Sequence, residues 1–213
     1  MAKITAFDRQ TAAYDAWFEK NNGLYQAELK ALRTFIPAGG HGVEIGVGTG
    51  RFAAPLGISI GVEPSLPMAE VARLRGIEVL EGVAEALPFD DNSFDFAVLV
   101  TVICFLDDVA KAFGEVWRVL RPGGSLIVGF IDRESELGRL YDQKKEQNSF
   151  YRDATFYSTS EVEALLTKAD FSGFSYRQTL LPGETTVLSV REGHGSGGFV
   201  VIQAHKAEGG IQS

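Results

Sequence analysis

Val43-Glu44-Ile45-Gly46-Val47-Gly48-Thr49-Gly50 carries an apolar run into three alternating glycines. The run from Gly42 to Gly46 reads as a short strand, and the glycines read as the turn into a helix. They leave the backbone open to a ligand and tolerate positive φ. Amides that open the next helix can receive a carboxylate or a phosphate. The spacing narrows the ligand. The dinucleotide fingerprint is G-x-G-x-x-G; counted from Gly46 its third glycine falls at position 51, which is Arg51. The chain instead reads acidic-x-G-x-G-x-G, with Glu44 two residues ahead of Gly46, where a carboxylate can help hold an amino group. A ligand with an amino-acid end and no phosphate suits this turn better than a dinucleotide.

Working outward, short apolar runs alternate with helical ones. Ile58–Val62, Ile77–Leu80, Phe94–Val100 and Leu126–Ile131 read as further strands. Phe94–Val100 is apolar on both faces apart from Asp95, as a central parallel strand would be. Ser65–Arg75 reads as a helix with Ser65 as N-cap. Asp107–Leu120 reads as a helix stopped by Pro122-Gly123-Gly124. The polar stretch 133–152 is expected to be helical, and Ser158 or Ser160 to cap a helix that runs to about Lys168. Phe174–Leu181 and Phe199–His205 close the set at seven strands. Ahead of the sheet, residues 5–36 show apolar positions three and four apart, with a break at Asn21-Asn22-Gly23. The expectation is a doubly wound, mostly parallel, Rossmann-like α/β sheet of seven strands. Residues 1–36 form an N-terminal helical lid, residues 37–206 the ligand-binding domain with a lid insertion at about 132–157, and 207–213 a loose tail. Such sheets bind ligands beyond the carboxyl ends of their strands, where the strand order reverses.

Two further motifs follow the glycine turn. Gly61-Val62-Glu63-Pro64-Ser65 ends the second strand, about 20 residues on, where a carboxylate can accept both ribose hydroxyls. The same carboxylate also suits a helix N-terminus. Gly82-Val83-Ala84-Glu85-Ala86-Leu87-Pro88-Phe89 follows the third strand and can offer amides and apolar side chains to an adenine, or form a plain hydrophobic turn.

These motifs, in this order, resemble the class I S-adenosylmethionine (SAM) dependent methyltransferases of methyltransferase type 11, the ubiquinone/menaquinone-biosynthesis-like group. The resemblance runs through Arg118-Val119-Leu120-Arg121-Pro122-Gly123-Gly124 and covers roughly residues 40–205. VEIGVGTGRFA, GVEPS, TVICFLDD and DRESELGRLY are similar to a small bacterial subgroup of methyltransferases. The resemblance implies SAM as cofactor, S-adenosylhomocysteine (SAH) as product, and a set of binding residues. Glu44, Gly46, Val47, Gly48 and Gly50 would hold the methionyl end, with Tyr14 reaching its carboxylate. Glu63 would hold the ribose. Pro64 and Met68 would line the ribose and adenine pocket, with Ala84 and Glu85 flanking the adenine. Thr101, Val102 and Phe105 would lie near the sulfonium. Val83 stands where many relatives have an acidic residue, which leaves the adenine amino group to Glu85 or a backbone carbonyl.

Composition restricts the acceptor. The net charge is −8, and no basic cluster is long enough to track a phosphate backbone. The expected acceptor is therefore a small molecule, with neither nucleic acid nor membrane as partner. A single cysteine, Cys104, excludes an internal disulfide and fits a cytoplasmic protein. Three scattered histidines leave no metal site. The chain is expected to be a monomer or homodimer. Candidates for a catalytic proton-transfer role are Asp132, at the end of a strand, Tyr14 and His194. Cys104 reads as a core residue. The rival readings are a non-catalytic SAM-binding module and an NAD(P)-dependent oxidoreductase, the latter opposed by Arg51.

Overall fold

Strands β1 (Gly42–Ile45), β2 (Ile60–Glu63), β3 (Glu78–Glu81), β4 (Phe94–Val100) and β5 (Leu120–Ile131) run parallel. The computed structural model describes residues 5–184 and 189–208; the first residues of the expected lid and most of the expected tail lie outside them. Strands β6 (Phe171–Thr179), β7 (Arg191–Glu192) and β8 (Phe199–Lys206) complete a sheet in the order β3-β2-β1-β4-β5-β8-β6-β7. β8 runs antiparallel to both β5 and β6.

Alternation along the strands builds the two layers. Phe96, Val98 and Val100 of β4 face one core, while Ala97 and Leu99 face the other. The first core is covered by helices α1 (Thr5–Lys20), α2 (Asn22–Arg33) and α4 (Leu66–Leu74), with the single turn α3 (Ala53–Leu56). The second is covered by α5 (Val109–Val119) and α7 (Thr159–Lys168). Helix α5 forms because Val109, Ala112, Phe113, Val116 and Val119 recur on one face, and all are buried. Asp108 caps it, accepting the Lys111 amide at 2.9 Å. Ser158 caps α7 in a capping box with Glu161.

Several expectations need correction. Among the described residues the sheet has eight strands, because Arg191 and Glu192 add a short edge ladder to β6. β5 starts at Leu120, since Leu120 pairs with Phe94 across an irregularity before the regular ladder resumes at Ser125. β6 begins at Phe171 and ends at Thr179. The stretch 133–152 is helical only in α6 (Glu136–Lys144) and a 3₁₀ turn at Lys145–Gln147. The Asn148 side chain then accepts the amides of Phe150 and Tyr151 and holds an irregular turn. Ser65 stands at the N-cap of α4, but its hydroxyl donates to Asp8 of α1 at 2.6 Å instead of capping. The break between the first two helices falls at Asn21, as its Asn-Asn-Gly sequence predicts.

The strand order reverses between β1 and β4. Loops leaving the carboxyl ends of β1, β2, β3 and β4 therefore surround one crevice, and α1 and α2 pack against it from above.

Candidate functional site

One cavity fills that crevice. It holds about 210 Å³ of solvent-accessible volume, against the roughly 10–15 Å³ that accommodates a single water. Gly46, Gly48, Glu63, Pro64, Met68, Ala84, Glu85, Thr101, Val102 and Phe105 line one part. Tyr14, Trp17, Phe18 and Glu28 of the first two helices, with Tyr141, Phe150 and Tyr151, line the rest.

Glu63 organises the floor. Its Oε2 accepts the Gly48 amide at 2.8 Å, and its Oε1 accepts the Ser65 amide at 2.9 Å. Burial raises its pKa, and the two amide donors oppose that rise. Each oxygen has used only part of its accepting capacity, so two further hydroxyls can still be received. Gly46 and Gly50 need to be glycine for different reasons. A Cβ at Gly46, where φ is +71°, would sit 2.4 Å from Val102 Cγ2. A Cβ at Gly50, where φ is +80°, would sit 2.6 Å from Ile77 Cδ1. Gly50 thus seats the turn on the core and does not line the cavity. Gly48 does line it, and the Tyr14 hydroxyl lies 3.6 Å from the place a Gly48 Cβ would take.

Two members of the expected methionyl set stand behind the cavity wall. Val47 is buried against Gly61. Glu44 is 1 % exposed; its carboxyl accepts from Ala53, and Oε2 has no hydrogen-bond partner among the described residues. Burial pushes its pKa well up, with Glu63 adding to the rise. A glycine cradle with the Glu63 carboxyl beside it fits a ligand that carries a ribose, while Glu44, behind the wall, does not face the cavity.

At the end of β4, Thr101 adopts φ +53°, a strained value for a β-branched residue. Its amide is held by the Gly129 carbonyl at 2.8 Å. The strain turns the chain so that Thr101, Val102 and Phe105 all face the cavity. Glu85 lines the cavity too, but its Oε1 accepts the amides of Asp107 and Asp108. That ties the loop after β3 to the start of α5.

Arg51, met first as a missing glycine, clamps α1 onto this site. Its guanidinium donates to both oxygens of Asp15, at 2.9 and 2.7 Å, and to Glu19 at 2.6 Å. Arg75 donates to Asp15 as well, at 2.9 Å. Burial pulls the Asp15 carboxyl up, but the Arg51 and Arg75 hydrogen bonds override it and hold it well below the usual carboxylate range. Hydrogen bonds to charged groups contribute ~1.5–3 kcal/mol each. Arg51→Ala should therefore speed amide exchange in α1 by at least tenfold without unfolding the sheet. Unchanged protection in α1 would show that the clamp does not hold the helix.

The proposed catalytic residues separate. Tyr14 reaches the cavity, and burial, followed by the Glu44 and Glu63 charges, raises its pKa beyond the ordinary tyrosine range. Asp132 is 3 % exposed and does not line the cavity. It accepts the Thr159 hydroxyl at 2.7 Å and the Glu134 amide at 2.9 Å, and so joins the end of β5 to α7. His194 lies exposed in its glycine-rich loop, with its ring 4.8 Å from that of Tyr176 and away from the cavity. Cys104 is buried near the Thr101 carbonyl. Sequence reasoning passed over Glu28, because a lone acidic residue in a helix of mixed polarity looks like a solvated face.

An α/β sheet whose switch-point crevice pairs a glycine turn with a buried carboxylate at the end of the next strand has the architecture of the Rossmann-like nucleotide-binding class. The comparisons specify which. The methyltransferase-domain family matches residues 43–128. A SAM-dependent methyltransferase from Thermotoga maritima, described as a possible histamine N-methyltransferase, is 51 % identical and superposes with a TM-score of 0.92 over 95 % of this chain and 99 % of that one. An uncharacterised protein of Methanocaldococcus jannaschii is 44 % identical over 205 residues, 95 % of this chain and all of that protein. A demethylmenaquinone methyltransferase from Roseiflexus castenholzii is 40 % identical over 101 residues, 42 % of each chain. The chain belongs to the SAM-dependent methyltransferases, and SAM is its methyl donor.

Proposed function

We propose that this methyltransferase acts on a small molecule enclosed beneath a lid made by helices α1 and α2 and the 132–157 insertion. The continuity of the cavity carries the reading: the same space runs from Gly48 and Glu63 to an aromatic chamber under α1 and α2. A chamber covered by two helices suits a small acceptor, and the net charge of −8 disfavours a nucleic acid. No helix among the described residues is long and apolar enough to cross a membrane. A cytoplasmic site of action accords with the lone cysteine.

In this reading Glu63 accepts the ribose hydroxyls, and the Tyr14 hydroxyl orients the methionyl carboxylate above Gly48. Pro64, Met68 and Ala84 wall the nucleoside, and Glu85 or a neighbouring backbone carbonyl meets the adenine amino group. Thr101, Val102 and Phe105 shape the space beside the reacting centre. The sulfonium of SAM supplies an already activated methyl group. The chain then has to exclude water and align the acceptor's nucleophile, which can lower the barrier substantially.

An acceptor screen that follows SAH release tests the reading. Turnover is expected with at least one member of a panel of small amines, phenols and thiols. SAH release only with protein or RNA would overturn the small-molecule assignment. SAM binding with no turnover on any acceptor would mark a binding module instead.

A further inference from the structure

Glu28 has no part in holding SAM as described above. It sits on α2 between core residues Ala27 and Leu29, and it is only 5 % exposed. Its side chain nevertheless lines the cavity. Among the described residues it has no hydrogen bond and no ion pair. A carboxylate without a partner in such surroundings is strongly disfavoured, and burial pushes the Glu28 pKa up to about 8.

The groups around it are aromatic. Tyr14 of α1, Tyr141 of α6 and Tyr151 each sense its charge, and Trp17 lines the same chamber. The Tyr141 and Tyr151 rings stand 5.4 Å apart, centroid to centroid. Among the described residues no Lys, Arg or His lines the cavity, so an anionic acceptor would find no counter-charge from them. Aromatic faces and a buried carboxylate both attract a cation.

We propose that Glu28, with the rings of Trp17, Tyr141 and Tyr151, forms the acceptor subsite, and that the acceptor is a protonatable amine. The proposal rests on the small-molecule reading above. The ammonium pairs with the Glu28 carboxylate and passes one proton to it. The freed nitrogen lone pair forms the new C–N bond as the S–CH₃ bond breaks and sulfur keeps the electron pair. The product leaves as a methylated ammonium, and the proton on Glu28 returns to solvent.

Binding to the SAH-loaded full chain tests this without turnover. The probes are n-butylamine, phenethylamine, 2-phenylethanol and 3-phenylpropionate, followed by calorimetry at pH 7. At least one amine should bind, and phenethylamine should bind at least tenfold more tightly than the alcohol, with release of protons. The acid should not bind. Glu28→Gln should erase the amine preference while the SAH Kd stays within twofold, which also shows that the variant folds. Failure of both amines to bind, an alcohol bound as well as its amine, or a preference that survives in Glu28→Gln would overturn the proposal. So would a loss of SAM affinity without loss of SAH affinity, which would assign Glu28 to the sulfonium. Failure of SAH itself to bind would overturn the donor assignment, and the proposal with it.

Discussion

Glu63→Ala should raise the SAM Kd by at least tenfold, and by more than a hundredfold if the glycine turn also loosens. The carboxylate is 7 % exposed, and in the proposed reading it performs two tasks. Toward the ligand it offers accepting capacity for ribose hydroxyls, and one hydrogen bond to a charged group contributes ~1.5–3 kcal/mol, roughly ten- to hundredfold in affinity. Toward the protein it fixes the amides of Gly48 and Ser65, which alanine would leave without an acceptor. Glu63→Gln separates the two tasks. It retains one carbonyl oxygen for an amide but loses the charge, so it should fall between wild type and alanine. Calorimetry on variants of normal thermal stability makes the comparison. Unchanged SAM affinity in folded Glu63→Ala would sink the ribose assignment.

Much of this architecture was legible in the sequence, because strand and helix periods leave direct marks. Phe94–Val100 is apolar on both faces and lies at the centre of the sheet. The Asn21-Asn22-Gly23 break was equally readable. Edges were harder to read. Arg191 and Glu192 pair with β6 although neither residue favours a strand, because the ladder there is set by Gln178 and Arg177 across from them. Gly46 and Glu63, which the sequence singled out by residue type, both line the cavity. Where several residue types would serve, spacing could not say which face a side chain takes. Gly50 packs on the core, Asp132 serves a helix junction, and Glu44 stays one layer behind the cavity. Arg51 illustrates the limit well. Its presence argued against a dinucleotide, but its partner Asp15 lies far off in sequence, and only the packing of α1 reveals the clamp. Glu28 was hidden for the same reason, since helical periodicity alone did not say that its face would be roofed by residues from α6 and beyond.

That roof makes Glu28 a liability for the ligand-free protein, with a pH dependence of definite sign. In the unfolded chain its carboxyl titrates near the ordinary value of 4.5, and in the folded chain burial moves it to about 8. Between those values the folded state holds a proton that the unfolded state has released, so stability falls as pH rises through this window. Above about pH 8 the full penalty applies. One pKa unit corresponds to about 1.4 kcal/mol, so the total is on the order of 5 kcal/mol. Glu44 and Glu63 also have raised pKa values and contribute to the same trend. They are present in both proteins, so the difference between wild type and Glu28→Gln isolates residue 28. The tyrosines facing it, Tyr14, Tyr141 and Tyr151, all have raised pKa values and stay neutral throughout. Glu28→Gln should therefore match wild type near pH 4.5, exceed it increasingly through pH 7, and reach its largest advantage at pH 9. Urea denaturation at those three values, without ligand, measures the difference. An advantage that does not change with pH would mean that Glu28 titrates normally. The burial of its charge, on which the amine subsite depends, would then be wrong. A gap that grows with pH in the ligand-free protein and closes when an amine is added would tie the instability directly to the missing cation.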